Sequence, residues 1–237
     1  MNNERLTKFT DMISKEIYSE PDTDLHTNLI NQIVPDLLKV PHGIKPDSKI
    51  VDIGCGSGYM LDKLVENGVD KNNVVAVTAS EEDYNVVKDK GYEAYQYDMT
   101  FTEFEDDTFD YVIMRHCLEH SVWPYLTLLE MNRILKMHGR MYIEMPAPDT
   151  DRKLEHWGNH YSVMGQTMWG SLMHRAGMFW KSGSYNMGLT DSKDGRKFQE
   201  HYHWYATEKL VDRKDFKPAD QAYMVELGRI YQETKTI

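Results

Sequence analysis

Val51-Asp52-Ile53-Gly54-Cys55-Gly56-Ser57-Gly58-Tyr59-Met60-Leu61 is the stretch on which the fold turns. An apolar run, Ile50 to Ile53, enters three glycines at alternate positions, and Met60, Leu61 and Leu64 then fall on one side of a helix. The pattern reads as a buried parallel strand, a tight turn and a helix. Glycines in the turn let the backbone approach a ligand closely, because no Cβ intervenes. The helix N-terminus behind them offers free N–H groups and the positive end of a dipole, which suit an anionic group.

The spacing narrows the ligand. A dinucleotide turn reads G-x-G-x-x-G, whereas here the third glycine comes one residue early. Asp52 stands two residues before the first glycine, at the strand end. An acid there can hold an ammonium group while the turn amides hold a carboxylate, a pairing better suited to an amino acid than to a pyrophosphate. The bland alternative is a glycine-rich turn with no ligand.

At Asp52, Gly54, Gly56 and Gly58 the chain resembles the class I S-adenosylmethionine (SAM)-dependent methyltransferases, whose first motif is (D/E)-x-G-x-G-x-G. Phe109-Asp110-Tyr111-Val112-Ile113, Glu119-His120, Glu130 and Arg133-Ile134-Leu135-Lys136 resemble the type 11 group of that family, which includes quinone-biosynthesis C-methyltransferases and small-molecule O-methyltransferases. The likeness runs over about residues 48 to 180. Where that group continues Leu-Lys-Pro-Gly-Gly, this chain has Met137-His138 after Lys136.

Beyond the glycine turn, strand and helix alternate. Val74 to Ala79, Glu93 to Asp98, Phe109 to His116 and Arg140 to Met145 read as further strands. Ser80 followed by three acids opens one helix, and Trp123-Pro124 opens another that the pattern carries to Gly139. Ser162 to Arg175 reads as helical, then Met178 to Met187 and Phe198 to Tyr205 as strands joined by a long hairpin connection around 190–195. Five alternating strands predict a parallel sheet covered on both faces. With the resemblance, the expected fold is α/β, a doubly wound, mostly parallel seven-stranded sheet of the Rossmann-like class I methyltransferase type, ending in an antiparallel hairpin.

Residues 1–44 read as an N-terminal helical cap, 45–212 as the SAM-binding domain and 213–237 as a C-terminal helix packed on it. In the cap, Leu6, Phe9, Ile13 and Ile17 share one helical spacing and Leu25, Leu29, Ile33 and Leu37 another, with Asp22 or Asp24 as N-cap and Pro35 as a kink or stop. A lid over the cofactor and an outer packing layer fit this cap equally.

The chain has 237 residues and a net charge of −11, from 27 basic and 38 acidic residues, with no basic run long enough to track phosphates. That argues against nucleic acid as the main substrate. Two cysteines, Cys55 and Cys117, make no disulfide framework and suit a reducing compartment. No apolar run approaches about 20 residues, and Met1 to Arg5 is polar, so neither a membrane span nor a signal peptide is expected and the chain reads as cytoplasmic.

In open α/β sheets the ligand lies beyond the carboxyl ends of the strands, which points to four places. The first is the glycine turn, with Asp52, Gly54, Cys55, Gly56 and Gly58. The second is Thr78-Ala79-Ser80, where the family usually carries an acid for the ribose hydroxyls; Thr78, Ser80 and Glu81 are the polar groups in its place. The third is Asp98-Met99, where the resemblance implies an acid on the adenine amino group, against the plain use of Asp in a turn. The fourth is Arg115-His116, with His116 as cofactor-lining residue and first choice of general base, and His156 or His160 behind it.

His116 and His120 are four apart and would share a helical face, yet no third ligand stands at a fixed spacing, so no metal is expected. His201 and His203 alternate with Tyr202 and Trp204, as in a hairpin with one buried face or a wall of the acceptor pocket. The polar, aromatic segment Asp149 to Tyr161 sits where loops carry substrate contacts. The resemblance implies a SAM-dependent methyltransferase that yields S-adenosylhomocysteine (SAH) and methylates a small molecule at oxygen, nitrogen or carbon. A non-catalytic SAM-binding protein is the alternative. An NAD(P)-dependent oxidoreductase is disfavoured by the glycine spacing and by Thr78.

Overall fold

The computed structural model describes residues 3–14, 19, 23–39, 43–190 and 195–213. Two helices come first, α1 (Asn3–Ser14) and α2 (Asp24–Leu37). Then β1 (Ile50–Ile53), α3 (Tyr59–Glu66), β2 (Val74–Thr78), α4 (Glu81–Asp89), β3 (Glu93–Gln96) and β4 (Phe109–Arg115) alternate. They are followed by α5 (Pro124–Ile134), β5 (Leu135–Pro146), α6 (Gln166–Arg175), β6 (Met178–Thr190) and β7 (Lys197–Lys209). The strands form one sheet in the order β3-β2-β1-β4-β5-β7-β6. β1 to β5 are parallel, and β7 runs antiparallel to both β5 and β6.

Period two splits the buried side chains between the faces. Val51, Ile53, Val112 and Met114 pack with Leu128, Met131, Trp169 and Leu172 of α5 and α6. Ile50, Ala76 and Ile113 pack with Ile30 and Val34 of α2, Leu61 and Leu64 of α3 and Val87 of α4. Every residue of β1 and β2 is buried, as a sheet covered on both faces requires.

Several boundaries differ from the sequence reading for local reasons. α5 ends at Ile134, not Gly139. Leu135 already pairs with Phe109, and the ladder then shifts register before Arg140 meets Tyr111. Lys136 to Gly139 fill that irregularity, with His138 at φ 64° and a Gly139 so tight that a Cβ would stand 2.7 Å from the Lys136 carbonyl oxygen. α6 starts four residues later than expected because Ser162 is held elsewhere: its hydroxyl donates to the carbonyls of Leu118 (2.9 Å) and Ser121 (2.8 Å). Thr23, not Asp22 or Asp24, caps α2, its hydroxyl accepting from the His26 amide at 3.3 Å, and Pro35 sits inside the last turn. Ile17, Pro21-Asp22, the connection 191–194 and the C-terminal helix expected beyond Arg213 lie outside the described residues.

β6 and β7 pair along 13 residues each, but β5 covers only Tyr202–Glu208 of β7. The rest of the hairpin projects past Pro146, at the carboxyl ends of the parallel strands. Its β7 edge is met by the loop after β5: Ala147 N–H donates to His201 O (2.8 Å), Gln199 N–H to the Asp151 carboxylate (3.0 Å), and Arg152 pairs with Glu200 at 2.8 Å. Covering an edge in this way removes a template for pairing with another chain.

The glycine turn shows why these residues are required. Gly54 has φ 72°, and a Cβ there would lie 2.5 Å from the Cβ of Cys117. Left-handed strain and overpacking together cost roughly 3 kcal/mol. Gly54→Ala should therefore lower the melting temperature by about 6–12 °C for a chain of this size. Differential scanning calorimetry checks it; an unchanged melting temperature would mean that the turn and Cys117 are not in contact.

Candidate active site

Strand order reverses between β1 and β4, and at such a switch point the two flanking loops diverge and open a crevice. A cavity of about 300 Å³ occupies it. Asp52, Gly54, Cys55 and Gly56 line it from the first strand end, Thr78, Ala79 and Ser80 from the second, Asp98 and Met99 from the third, and Arg115 and His116 from the fourth. Gly58 is the exception among the residues predicted at the glycine turn. It is the N-cap of α3 at φ 83°, where a Cβ would meet Val87 of α4 at 2.9 Å, so it shapes the turn and does not face the cavity. Gly56 differs from both neighbours: a Cβ there would meet nothing within 4 Å. Its bare backbone faces open space, as a cradle for a ligand needs.

Thr10 and Ile13 of α1 and His26 and Ile30 of α2 also line the cavity, so the N-terminal helices face the site.

Asp52 is 3% exposed, and burial lifts its pKa to about 7 against the weaker opposing pull of the Arg115 charge. An arriving ammonium group would stabilise the carboxylate and take the place of the lost water.

At the second strand end, Thr78 Oγ1 accepts from the Ser80 amide at 3.1 Å, and Ser80 Oγ accepts from the Asp83 amide at 3.2 Å as the N-cap of α4. Glu81 is exposed and outside the cavity, whereas Asp83 is buried and lines it. The Ser19 hydroxyl donates to its carboxylate at 2.6 Å. An acid, absent from position 78, thus stands at the cavity in the first turn of the next helix. The signal for it was in the sequence: the third residue after a serine N-cap points back toward the cap and the strand end. At the third end one Asp98 oxygen accepts from the Thr100 amide at 2.7 Å, the turn use, and the residue also borders the cavity.

The fourth end is a buried charge cluster. Glu144, on β5, is fully buried and paired in register with Arg115. One of its oxygens takes Arg115 Nη2 at 2.5 Å and His116 Nε2 at 2.9 Å, and the other accepts from the Tyr142 hydroxyl at 3.0 Å. His116 Nδ1 lies 3.6 Å from Glu119. Burial alone would push the Glu144 carboxyl up, but the Arg115 charge and the His116 bond hold it well below the usual carboxylate range. Burial alone would likewise lower His116, yet the bonds to Glu119 and Glu144 raise it to about 9. At neutral pH this ring is a fixed imidazolium with both nitrogens engaged, and the structure does not present it as the general base expected from the sequence. His26 of α2 stacks on it at 5.0 Å, and burial followed by the charges of His116 and Arg115 lowers that ring to about 4. His26 is therefore a neutral imidazole at the cavity.

His116 and His120 do not share a helical face. His116 has φ 49°, and His120 sits in a short 3-10 turn beside Glu119 and His160. Of the loop 149–161, Asn159 and Tyr161 line the cavity, and His156 does not. Tyr202 meets His116 edge to face at 4.5 Å, but neither it nor His201 nor His203 reaches the cavity. No described helix is long and apolar enough to cross a membrane.

Comparison with known proteins agrees with this geometry. A family model described as a methyltransferase domain matches residues 25–179. The chain is 28% identical over 139 residues to the ubiquinone/menaquinone biosynthesis C-methyltransferase UbiE of Teredinibacter turnerae, a match over 55% of this chain and 56% of that one. The chain thus spans about half the length of that relative. Among solved structures, YcgJ of Bacillus subtilis superposes with a TM-score of 0.63 at 16% identity, over 78% of this chain and 99% of that one. A SAM-dependent methyltransferase of Archaeoglobus fulgidus does so with a TM-score of 0.62 at 14% identity, over 78% and 94%. With the family model matched across the glycine turn and all four strand ends, and with the seven-stranded sheet, the chain belongs to the methyltransferase domain family, in the class I fold of its SAM-dependent members.

Proposed function

We propose that the chain uses this cavity to transfer the methyl group of SAM to a small-molecule acceptor. The observation that carries the reading is the meeting of Asp52, the open backbone at Gly56 and the three other strand ends around one space. Asp52 and the Gly54–Gly56 amides suit the ammonium and carboxylate of the amino acid part. Thr78, Ser80 and Asp83 suit the ribose hydroxyls, and Asp98 with Met99 the adenine. When bound, SAM supplies a methyl group already activated on a sulfonium, so the protein's part is to hold, align and exclude water. Orientation alone is worth about 7–11 kcal/mol.

The acceptor side is the part of the cavity bordered by His26, His120, Asn159 and Tyr161. That opening favours an enzyme over a binding protein with a closed acceptor side. For a hydroxyl acceptor, the neutral His26 ring offers a hydrogen-bond acceptor, and with so low a pKa it orients the hydroxyl better than it keeps the proton. The imidazolium of His116 keeps α2 and β4 in place through stacking and its two carboxylates.

Titration calorimetry with SAH tests the cofactor reading, and an extract of metabolites with methyl-labelled SAM tests transfer. No heat and no thermal shift at millimolar SAH would overturn the proposal. Gly56→Val should abolish SAH binding; with φ 51° at this position the variant also loses roughly 1–2 kcal/mol to left-handed strain, so binding is read well below its melting temperature, with the fold checked by circular dichroism. In the wild type, SAH affinity should rise up to about tenfold per pH unit from pH 5 to 7 and then level off, as Asp52 ionises. Asp52→Asn should flatten that profile and weaken binding by about 10–150-fold. A pH-independent wild type would sink the assignment of Asp52.

Glu144→Gln should cost about 3–5 kcal/mol by leaving Arg115 and His116 without their shared counter-charge. It should also bring the His116 pKa down from about 9, read by NMR of the imidazole. His116 is raised in the fold, so its stabilising contribution is complete below about pH 6.5 and is lost as pH rises through 9. The alkaline fall in melting temperature should shift to lower pH in the variant. A wild-type His116 that titrates between 6 and 7 would restore it as a base.

A further inference from the structure

Glu119, His120 and His160 each offer one ligand atom, and these atoms lie within 4.8 Å of one another. We propose that they form a site for one divalent transition-metal ion, with Zn²⁺ the best match, beside the cofactor cavity. The proposal goes beyond methyl transfer and stands on separate observations.

The first is an unanswered carboxylate oxygen. Glu119 is 2% exposed; one of its oxygens faces His116, and the other, Oε2, has no hydrogen-bond partner. A buried acceptor left so is costly and rare. The second is His160 Nδ1, which is also buried and without a partner. The third is the support behind the rings. His120 Nδ1 bonds the Asn159 carbonyl oxygen at 2.9 Å, which fixes the tautomer and puts the lone pair on Nε2. The Leu154 backbone also bonds the His160 ring. Metal-bound histidines are oriented by such backbone acceptors. The two rings are 4.8 Å apart and nearly perpendicular.

The backbone makes the arrangement firm. The amides of Tyr161 and Ser162 donate to the Glu119 carbonyl at 2.8 and 3.0 Å, stapling the His160 segment to the Glu119-His120 turn. Two imidazoles and one carboxylate suit Zn²⁺ or another first-row cation, not the all-oxygen preference of Ca²⁺ or Mg²⁺. Ligand bonds of about 2.0–2.2 Å require the three atoms to close to roughly 3.4 Å, a side-chain adjustment of about 1 Å. Three protein ligands leave one position open, and His120, Asn159 and Tyr161 border the cavity, so that position is within reach of an oxygen donor such as water.

The full chain, stripped with chelator and dialysed, is titrated with ZnCl₂ by calorimetry and with CoCl₂ by visible absorption. The proposal expects one ion per chain, with a dissociation constant of about 1 μM or below, and ligand-field bands for Co²⁺. Loss of one ligand should weaken binding by at least about 100-fold in His160→Ala and His120→Ala, and His138→Ala, on the exposed bulge of β5, should bind as the wild type does. Glu119→Gln should behave as the ligand variants do; if it fails to fold because it also holds His116, the two histidine variants decide. A wild type that binds no better than His160→Ala overturns the site. SAH titrations run alongside keep the two readings apart: Zn²⁺ binding without SAH binding counts against the cofactor assignment alone, and SAH binding without Zn²⁺ binding against the metal alone.

Discussion

A single buried carboxylate, Glu144, anchors the functional end of the sheet. It is the shared counter-charge of Arg115 and His116 at the end of the neighbouring strand and takes a third hydrogen bond from Tyr142. The pair spans β4 and β5 at their carboxyl ends, so it fixes the start of the loop after β4, one of the two that flank the crevice. Buried ion pairs are not automatically stabilising, because desolvation offsets attraction, but removal of one partner is expensive. Here the geometry makes the arrangement specific. One oxygen serves two cations, and Glu119 meets the far side of the second.

The same cluster sets the electrostatics of the cavity. Arg115 is matched by Glu144 and His116 is held between Glu144 and Glu119, so little net charge is left to act on Asp52. Burial then dominates at Asp52, which sits near the point of ionisation at neutral pH. A carboxylate in that state gains from a cation more than a fully solvated one would. His26 is driven the other way, kept uncharged by burial and by the cation stacked beneath it. Two stacked imidazoles therefore carry different charges at the same pH.

Much of this was legible in the chain. The glycine turn, the five alternating strands and the final hairpin follow from period and from residues that only a turn tolerates, and these fixed the four strand ends. The residues there needed no long-range information. Asp83 was legible as the third residue after the Ser80 N-cap of α4, and only its burial depends on how that first turn packs. The pairing of His120 with His160 crosses 40 positions and depends on the backbone staple at Glu119. The start of β5 was hidden for another reason. Leu135 passes from helix into strand without a linker, so the helical pattern and the strand overlap in the sequence. The charge of His116 could not be read at all, because Glu144 lies 28 residues away on another strand.

The overhanging end of the β6–β7 hairpin is fastened to the loop after β5 by His201, Asp151 and Arg152. That loop continues into Asn159, His160 and Tyr161. The free length of the two-stranded ribbon begins at the last rung shared with β5, at Tyr202 and Pro146. These contacts tie the ribbon to the segment that carries Asn159 and Tyr161, whereas Asp52 and the glycine turn are rooted in the central strands. A change of hairpin length therefore bears on the Asn159–Tyr161 side of the cavity and leaves the glycine-turn side to the parallel strands.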